Sequence, residues 1–447
     1  MLLAIAVLAG ACARPPPSVV IILVDTFRSD RLDAFGGERR LMPMLDGLAA
    51  RSSVFRNAYA SSAWTSPSVA SLFTSRHPSQ HGISDFGSIL AEEEQTLAEA
   101  LRARGYATGG FSANGLIRKQ LGYDQGFDRF ETQRVAGATA RTRSERAIET
   151  GKRALAWLDS LPPDAQAPVF LYLHLMNPHA PYDPPRPSLR RVFGPGALPD
   201  VDATNELIWA KNELSDASRL AIERLYDAEV NGLEAELGSI LLGLEHRGLF
   251  EDALVVVVAD HGEEFWEHGG FGHGQSLYDE LVRVPLLVHA PGQAHRIEVE
   301  QPVSLIDLAP TLLEAVGEDP PPHFAGRSLW PYLNGGARRT EPAEEAPAVV
   351  SELLRAQILR RGPLQHERAV VIGSSKLIVE VDGTRHYFER STDPGERGVA
   401  PLPESRRRAL DQAHDRFVAG IESRPTADVA PLDDETRAEL QALGYLE

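Results

Sequence analysis

The chain has 447 residues, 43% of them hydrophobic, with 63 acidic against 45 basic side chains and a formal net charge of -18. That length supplies a large core and admits two or three domains, while the acidity argues against nucleic acid or an anionic membrane surface as the main partner, because both reward basic patches. The lone cysteine, Cys12, excludes an internal disulfide and leaves the folded body no thiol nucleophile.

In chain order, residues 1–11 form an unbroken apolar and small-residue run, too short to span a bilayer as a mature helix and close to the hydrophobic region of a secretory signal. Leu8-Ala9-Gly10-Ala11-Cys12 resembles a bacterial lipoprotein signal, in which the cysteine is lipidated. Arg14-Pro15-Pro16-Pro17 then reads as a stiff spacer. Residues 1–17 are therefore expected to be a leader, and the protein to be periplasmic or membrane-anchored as a lipoprotein, touching a membrane only through that anchor. Beyond it, short apolar runs alternate with helical stretches. This is the signature of an α/β fold with a mostly parallel central sheet and helices on both faces. Strands are predicted over residues 18–24, 107–112, 169–174, 254–259 and 285–289. Helices are predicted over 42–51, 67–74, 96–104, 141–159, 216–245 and 306–316. The first α/β unit should run over 18–337, and a Pro, Glu and Ala rich linker over 338–347. Residues 348–447, with short β runs to 389 and a helix over 406–421, should form a smaller α+β subdomain with an antiparallel sheet.

Two of the predicted strands carry the chemistry. Val19 to Val24 and Leu254 to Ala259 are continuous apolar runs that end on an acid, giving Asp25 and the pair Asp260-His261. Ligands collect outside the carboxyl ends of strands in open α/β sheets, so two strand ends about 235 residues apart can aim Asp25, Asp260 and His261 at one divalent cation. Such a cation would give an anionic substrate the positive focus that the acidic chain otherwise lacks.

The order of several short stretches then resembles the sulfatase family of the alkaline phosphatase superfamily. These are Val24 to Asp30 (VDTFRSD), Trp64-Thr65-Ser66-Pro67-Ser68, His174 to Tyr182 (HLMNPHAPY), Ala259 to Glu263 (ADHGE), His273 through Pro285, Ser304 to Leu313, Asp393-Pro394-Gly395-Glu396 and Leu443-Gly444-Tyr445-Leu446. The resemblance implies an alkaline phosphatase-like catalytic domain, a metal-dependent ester hydrolase and a small anionic ester as substrate. It also implies that Asp25, Asp260, His261 and Thr65 surround the metal. In that pattern sulfatases carry Cys-x-Pro-x-Arg, whose cysteine (serine in some bacteria) becomes formylglycine; here the aligned residues are Thr65 to Val69. Threonine is not a substrate for that conversion. Formylglycine hydrate can expel sulfate with its second hydroxyl, whereas a phosphothreonine is cleared by in-line attack of water at phosphorus. Chemistry at phosphorus is the preferred reading, with Thr65 attacking as a metal-bound hydroxyl, since coordination takes water from a pKa of about 16 to about 7. Pro67 suits the first turn of a helix whose free amides attract anions; the competing roles are that Thr65 merely caps that helix, or that Ser66 attacks.

His179 resembles the family histidine that touches the anion, and His273 lies near a position where many members have lysine; either suits a general acid. His174 reads equally as a core histidine, and His77, His81 and His268 as surface or loop residues. Most formylglycine sulfatases follow the first aspartate with a second, and here that residue is Thr26. One carboxylate fewer favours Mn2+ or Zn2+, with Ca2+ as the alternative. Asn114 occupies the region of a family Gly-Lys-Trp-His segment whose lysine and histidine are missing. These losses of positive charge favour a monoanionic group, a phosphodiester or phosphonate monoester. The alternatives are a sulfuric ester hydrolase working without formylglycine, a phosphoethanolamine or phosphoglycerol transferase, and an inactive lipid-anchored binding protein. The leaving group would be chosen by loops such as residues 184–213, and Phe265 and Trp266 read as core. The sequence leaves the oligomeric state open.

Overall fold

The computed structural model describes residues 16–133, 143–162, 167–196, 198–208, 214–333, 347–355, 365–398, 401–421, 426–431 and 433–442. Cys12, nearly all of the expected leader and all but the last residue of the expected linker lie outside these. Among the described residues no helix is long and apolar enough to cross a membrane.

The central sheet has eight strands: β1 (Ser18–Val24), β2 (Ser53–Phe55), β3 (Ala107–Ser112), β4 (Arg129–Thr132), β5 (Val169–Leu175), β6 (Ala253–Ala259), β7 (Leu286–His289) and β8 (Ile297–Val299), in the order β8-β2-β7-β6-β1-β5-β3-β4. Only β7 runs against its neighbours. β1 and β6 lie at the centre, and Val19 to Val24 have no solvent exposure. A strand covered on both faces needs no polar alternation, which is why these segments read as unbroken β-branched runs.

Two groups of helices cover the sheet. Thr65–Thr74, Leu97–Ala103 and Leu308–Ala315 pack on one another; Arg143–Ser160, Arg186–Phe193 and Val201–Ile208 pack along the 30-residue helix Asp216–Glu245. The helix expected from residue 67 begins two residues earlier, at Thr65. The one expected over 306–316 divides into a 3-10 turn, Leu305–Asp307, and an α-helix, Leu308–Ala315. The stretch 184–213, expected to be loop, holds two helices, Arg186–Phe193 and Val201–Ile208.

After the central sheet the chain forms an antiparallel one from β9 (Val349–Arg355), β10 (Gln365–Ile372), β11 (Ser375–Val379) and β12 (Arg385–Glu389), paired in chain order, with the helix Glu404–Gly420 against β10 and β11. One cluster of buried side chains joins the two parts: Tyr59, Trp64, Phe86, Leu277 and Leu281 pack with Val349, Leu353, Val371 and Phe388.

Candidate active site

Parallel register builds the site. Val24 of β1 pairs with Ala259 of β6, so the next residues, Asp25 and Asp260, leave the same sheet edge side by side. His174 of β5 stands level with both Leu23 and Ser112, which brings it beside Asp25 and close to the turn that carries Asn114. Thr65 arrives from a different direction, as the first residue of its helix; Trp64 occupies the cap position, and Ser68 Oγ donates to Asp260 O at 2.6 Å, tying the helix to the strand end.

Ligand atoms of Asp25, Asp260 and His261 lie within 4.8 Å of one another, all in fully buried residues. His261 Nε2 is 3.9 Å from Asp25 Oδ1 and 3.5 Å from Asp260 Oδ2. Its Nδ1 faces Gly262 O at 2.9 Å, which keeps the ring proton on Nδ1 and turns the Nε2 lone pair toward the carboxylates. The other oxygens are already engaged. Asp25 Oδ2 accepts from Asn114 Nδ2 at 2.7 Å and faces His174 Nε2 at 3.3 Å, and Asp260 Oδ1 accepts from the amides of Thr26 and His261 at 3.3 and 3.0 Å.

Asp25 Oδ1 and Asp260 Oδ2 are buried and take no hydrogen bond from the described residues. Two adjoining buried carboxylates without donors are costly unless a cation sits between them, so the donor set fits a divalent ion. Burial and the neighbouring Asp25 charge push the Asp260 carboxyl up. Burial pushes Asp25 the same way, but the His174 hydrogen bond and the surrounding imidazoles outweigh it and hold Asp25 below the ordinary range.

Thr65 Oγ1 is 3.2 Å from His261 Nε2, which places the hydroxyl at the open face of the ligand set. The cap position itself belongs to Trp64, which makes no side-chain cap hydrogen bond, and Thr65 is the first helical residue. The His273 ring adjoins two other imidazoles, tilted at 4.5 Å from the His261 ring and edge-on at 5.0 Å from that of His179. Its Nδ1 meets Glu263 Oε1 at 2.8 Å; burial lowers its pKa, but the Glu263 charge and hydrogen bond outweigh this and leave it raised. His179 Nδ1 contacts Ala180 O, and the residue is buried. The six residues singled out in the sequence, Asp25, Thr65, His179, Asp260, His261 and His273, thus form one contiguous group.

Three neighbours went unrecognised or undervalued in the sequence. Asn114 and His174 both hold Asp25 and belong to the site rather than to an unrelated core, and Glu263 orients His273. For Glu263 a signal existed, as it ends the ADHGE stretch. Thr26, where a second aspartate would stand, has a φ of 54°, an uncommon conformation for a β-branched residue. Its amide to Asp260 and its carbonyl, which accepts from Tyr226 Oη at 2.8 Å, hold it there. His81, expected at the surface or in a loop, is buried: its Nδ1 accepts from the Ile83 amide, its Nε2 faces Ser71 Oγ at 3.0 Å, and burial pushes it down to about 3. Phe265 is core, but Trp266 is only partly buried, at a φ of 65° with the Arg219 guanidinium 5.3 Å from its ring.

A sulfatase family model matches residues 17–318. Arylsulfatase K of Rattus norvegicus is 25% identical over 440 residues, covering 85% of this chain and 74% of that protein. Among solved structures, a 2-O GAG sulfatase superposes with a TM-score of 0.71 at 20% identity, over 93% of this chain and 98% of that one. Phosphonate monoester hydrolase SpPMH from Silicibacter pomeroyi gives a TM-score of 0.71 at 21% identity, over 90% and 95%. At such identities the two superpositions speak to the fold. The family model, however, spans more than half of the chain and includes every residue of the group just described. The protein belongs to the sulfatase family of the alkaline phosphatase superfamily, a family of metal-dependent ester hydrolases.

Proposed function

We propose that this protein hydrolyses phosphodiester or phosphonate monoester bonds through a covalent intermediate on Thr65. One observation carries the reading: the residue at the family's nucleophile position is a threonine whose hydroxyl lies 3.2 Å from His261 Nε2, the atom that itself stands 3.9 and 3.5 Å from the donor-free oxygens of Asp25 and Asp260. Asp25, Asp260 and His261 would hold a divalent cation, with Mn2+ or Zn2+ favoured, which when bound would supply Lewis-acid stabilisation of phosphoryl charge and acidify a neighbouring hydroxyl.

The chain's own groups supply the rest. The Thr65 oxygen forms a bond to phosphorus and releases its proton to solvent as the bond to the leaving oxygen breaks, and that oxygen takes a proton from an imidazole. His273 suits this role, because Glu263 holds its protonated form and its ring adjoins that of His261. His179, whose ring lies 5.0 Å from that of His273, would donate to the ester's non-bridging oxygens. Water then attacks phosphorus and gives a proton back to His273, the Thr65 bond breaks, and the threonine oxygen is reprotonated from solvent. Because this family fold also occurs in a protein named phosphonate monoester hydrolase, the scaffold is compatible with chemistry at phosphorus.

Sulfate esters remain the second reading, favoured by the arylsulfatase K similarity. A metal-supplemented panel of aryl sulfate, phosphomonoester, phosphodiester and phosphonate monoester separates the two. The expected result is highest kcat/KM on the diester or phosphonate and a phosphate or phosphonate adduct on Thr65 by mass spectrometry. Thr65→Ala should lose roughly 10³-fold or more in kcat, as expected on removal of a nucleophile, while Ser66→Ala should stay near the parent. Preference for the sulfate, or full activity in Thr65→Ala, would overturn the proposal.

A further inference from the structure

The helix Asp216–Glu245 reaches both sides of the site with residues one turn apart. Tyr226 Oη accepts from the Arg28 amide at 2.9 Å and donates to Thr26 O at 2.8 Å, bracing the turn that follows Asp25. Three positions on, and so on the same helix face, Glu229 is fully buried. Its Oε2 accepts from Asn177 Nδ2 at 2.6 Å, and its Oε1 accepts from the Asp183 amide. Those two donors bracket residues 177–183, the segment that carries His179. One turn further along, Gly232 lets the continuation of that segment lie against the helix, since a Cβ there would stand 2.8 Å from Pro185 Cδ.

We propose that Glu229 is a positioning residue for the reaction: its two carboxylate oxygens clamp both ends of the 177–183 segment and thereby fix His179 against His273. The inference rests on the reading that His179 faces the ester. Both oxygens of the carboxylate act as acceptors. A leucine, of similar bulk, offers no acceptor and releases both ends of the clamp. A glutamine keeps both, because its oxygen accepts from the Asp183 amide while its Nε2 donates to Asn177 Oδ1 once the asparagine amide turns over.

The test compares the parent, Glu229→Leu, Glu229→Gln and His179→Ala in the full chain loaded with Mn2+. The readouts are amide hydrogen exchange over residues 178–183 and turnover of an aryl phosphodiester. Glu229→Leu should raise exchange in that segment roughly tenfold, with the rest of the helix unchanged. It should also lower kcat by up to roughly 10²-fold with little effect on KM, the cost of a group displaced by about an ångström. Glu229→Gln should stay close to the parent in both readouts, which a role through the charge of Glu229 would not allow. Unchanged exchange in Glu229→Leu, or exchange in Glu229→Gln as fast as in Glu229→Leu, overturns the clamp. If His179→Ala turns over like the parent, the reading of His179 fails while the exchange data still decide the clamp.

Discussion

Asp25 shows how a single carboxylate is prepared for a cation. Asn114 and His174 engage Oδ2 and leave Oδ1 without a donor, so the side chain is oriented before any ion arrives. Partners of this kind fix ligand geometry, and removing one costs roughly 10- to 100-fold in metal affinity. Asn114→Ala should therefore weaken Mn2+ binding by about that factor in a calorimetric titration, with His174→Ala similar and the fold retained. Parent-like affinity in both variants would mean that Asp25 needs neither partner. The three proposed ligands and Thr65 stand out in the sequence because each follows an apolar run or opens a helix. Asn114 and His174 were not, because nothing in a sequence says which strand ends become neighbours. Only the order β1-β5-β3, a product of sheet assembly, puts them beside Asp25.

At the scale of elements, legibility followed length. The seven-residue strands β1 and β6 and the helix Asp216–Glu245 have enough residues to show continuous burial or helical spacing, and their boundaries match the sequence reading to within a residue. β2 and β8 have three residues each, too few to show any period; β2 forms on the edge that β7 offers, and β8 on the edge of β2. In the Thr65–Thr74 helix all ten residues are buried, its serines and threonines included, so it has no solvent-exposed face to mark it. Packing also depends on absent side chains. On β3, a Cβ at Gly109 would stand 2.6 Å from the Trp157 indole, which lies across the strand and against Phe111. Gly109→Ala should therefore lose about 1 to 3 kcal/mol in urea unfolding, the usual cost of overpacking. A midpoint equal to the parent's would show that the Trp157 helix can shift at no cost.

On the scale of the whole molecule, the antiparallel sheet is joined to the α/β part by direct hydrogen bonds. Ser351 Oγ donates to Ala60 O at 2.6 Å and the Glu352 amide to Ser61 O at 2.8 Å, four to five residues before Thr65. Trp64 itself lies in the shared cluster. One polar point of this junction is Glu352, which has no solvent exposure. Its Oε2 accepts from the amide and hydroxyl of Ser79 at 3.0 and 2.6 Å, and its Oε1 meets His366 Nε2 at 2.7 Å and Arg368 Nε at 3.0 Å. Burial alone would raise this carboxyl, but the His366 hydrogen bond, the charges of His77 and His366 and the Ser79 hydroxyl together bring it down to about 2, from an ordinary value of 4.5. A folded-state pKa below the unfolded one means that the unfolded chain binds more protons. The stabilisation is then complete above pH 4.5 and is lost as pH falls toward 2, with a ceiling of about 3 kcal/mol for a shift of this size. Glu352→Gln should be less stable than the parent at pH 7, and the gap should close steadily as pH falls from 4.5 toward 2 in denaturant titrations. A gap that stayed constant over that interval would show that Glu352 gains nothing from its charge. Loosening this joint should also reach the proposed nucleophile, because Ala60, Ser61 and Trp64 lead directly into Thr65. Glu352→Gln is therefore expected to lower kcat at pH 7 by a small factor, of the order of twofold to tenfold, less than any change in the ligand set would cause.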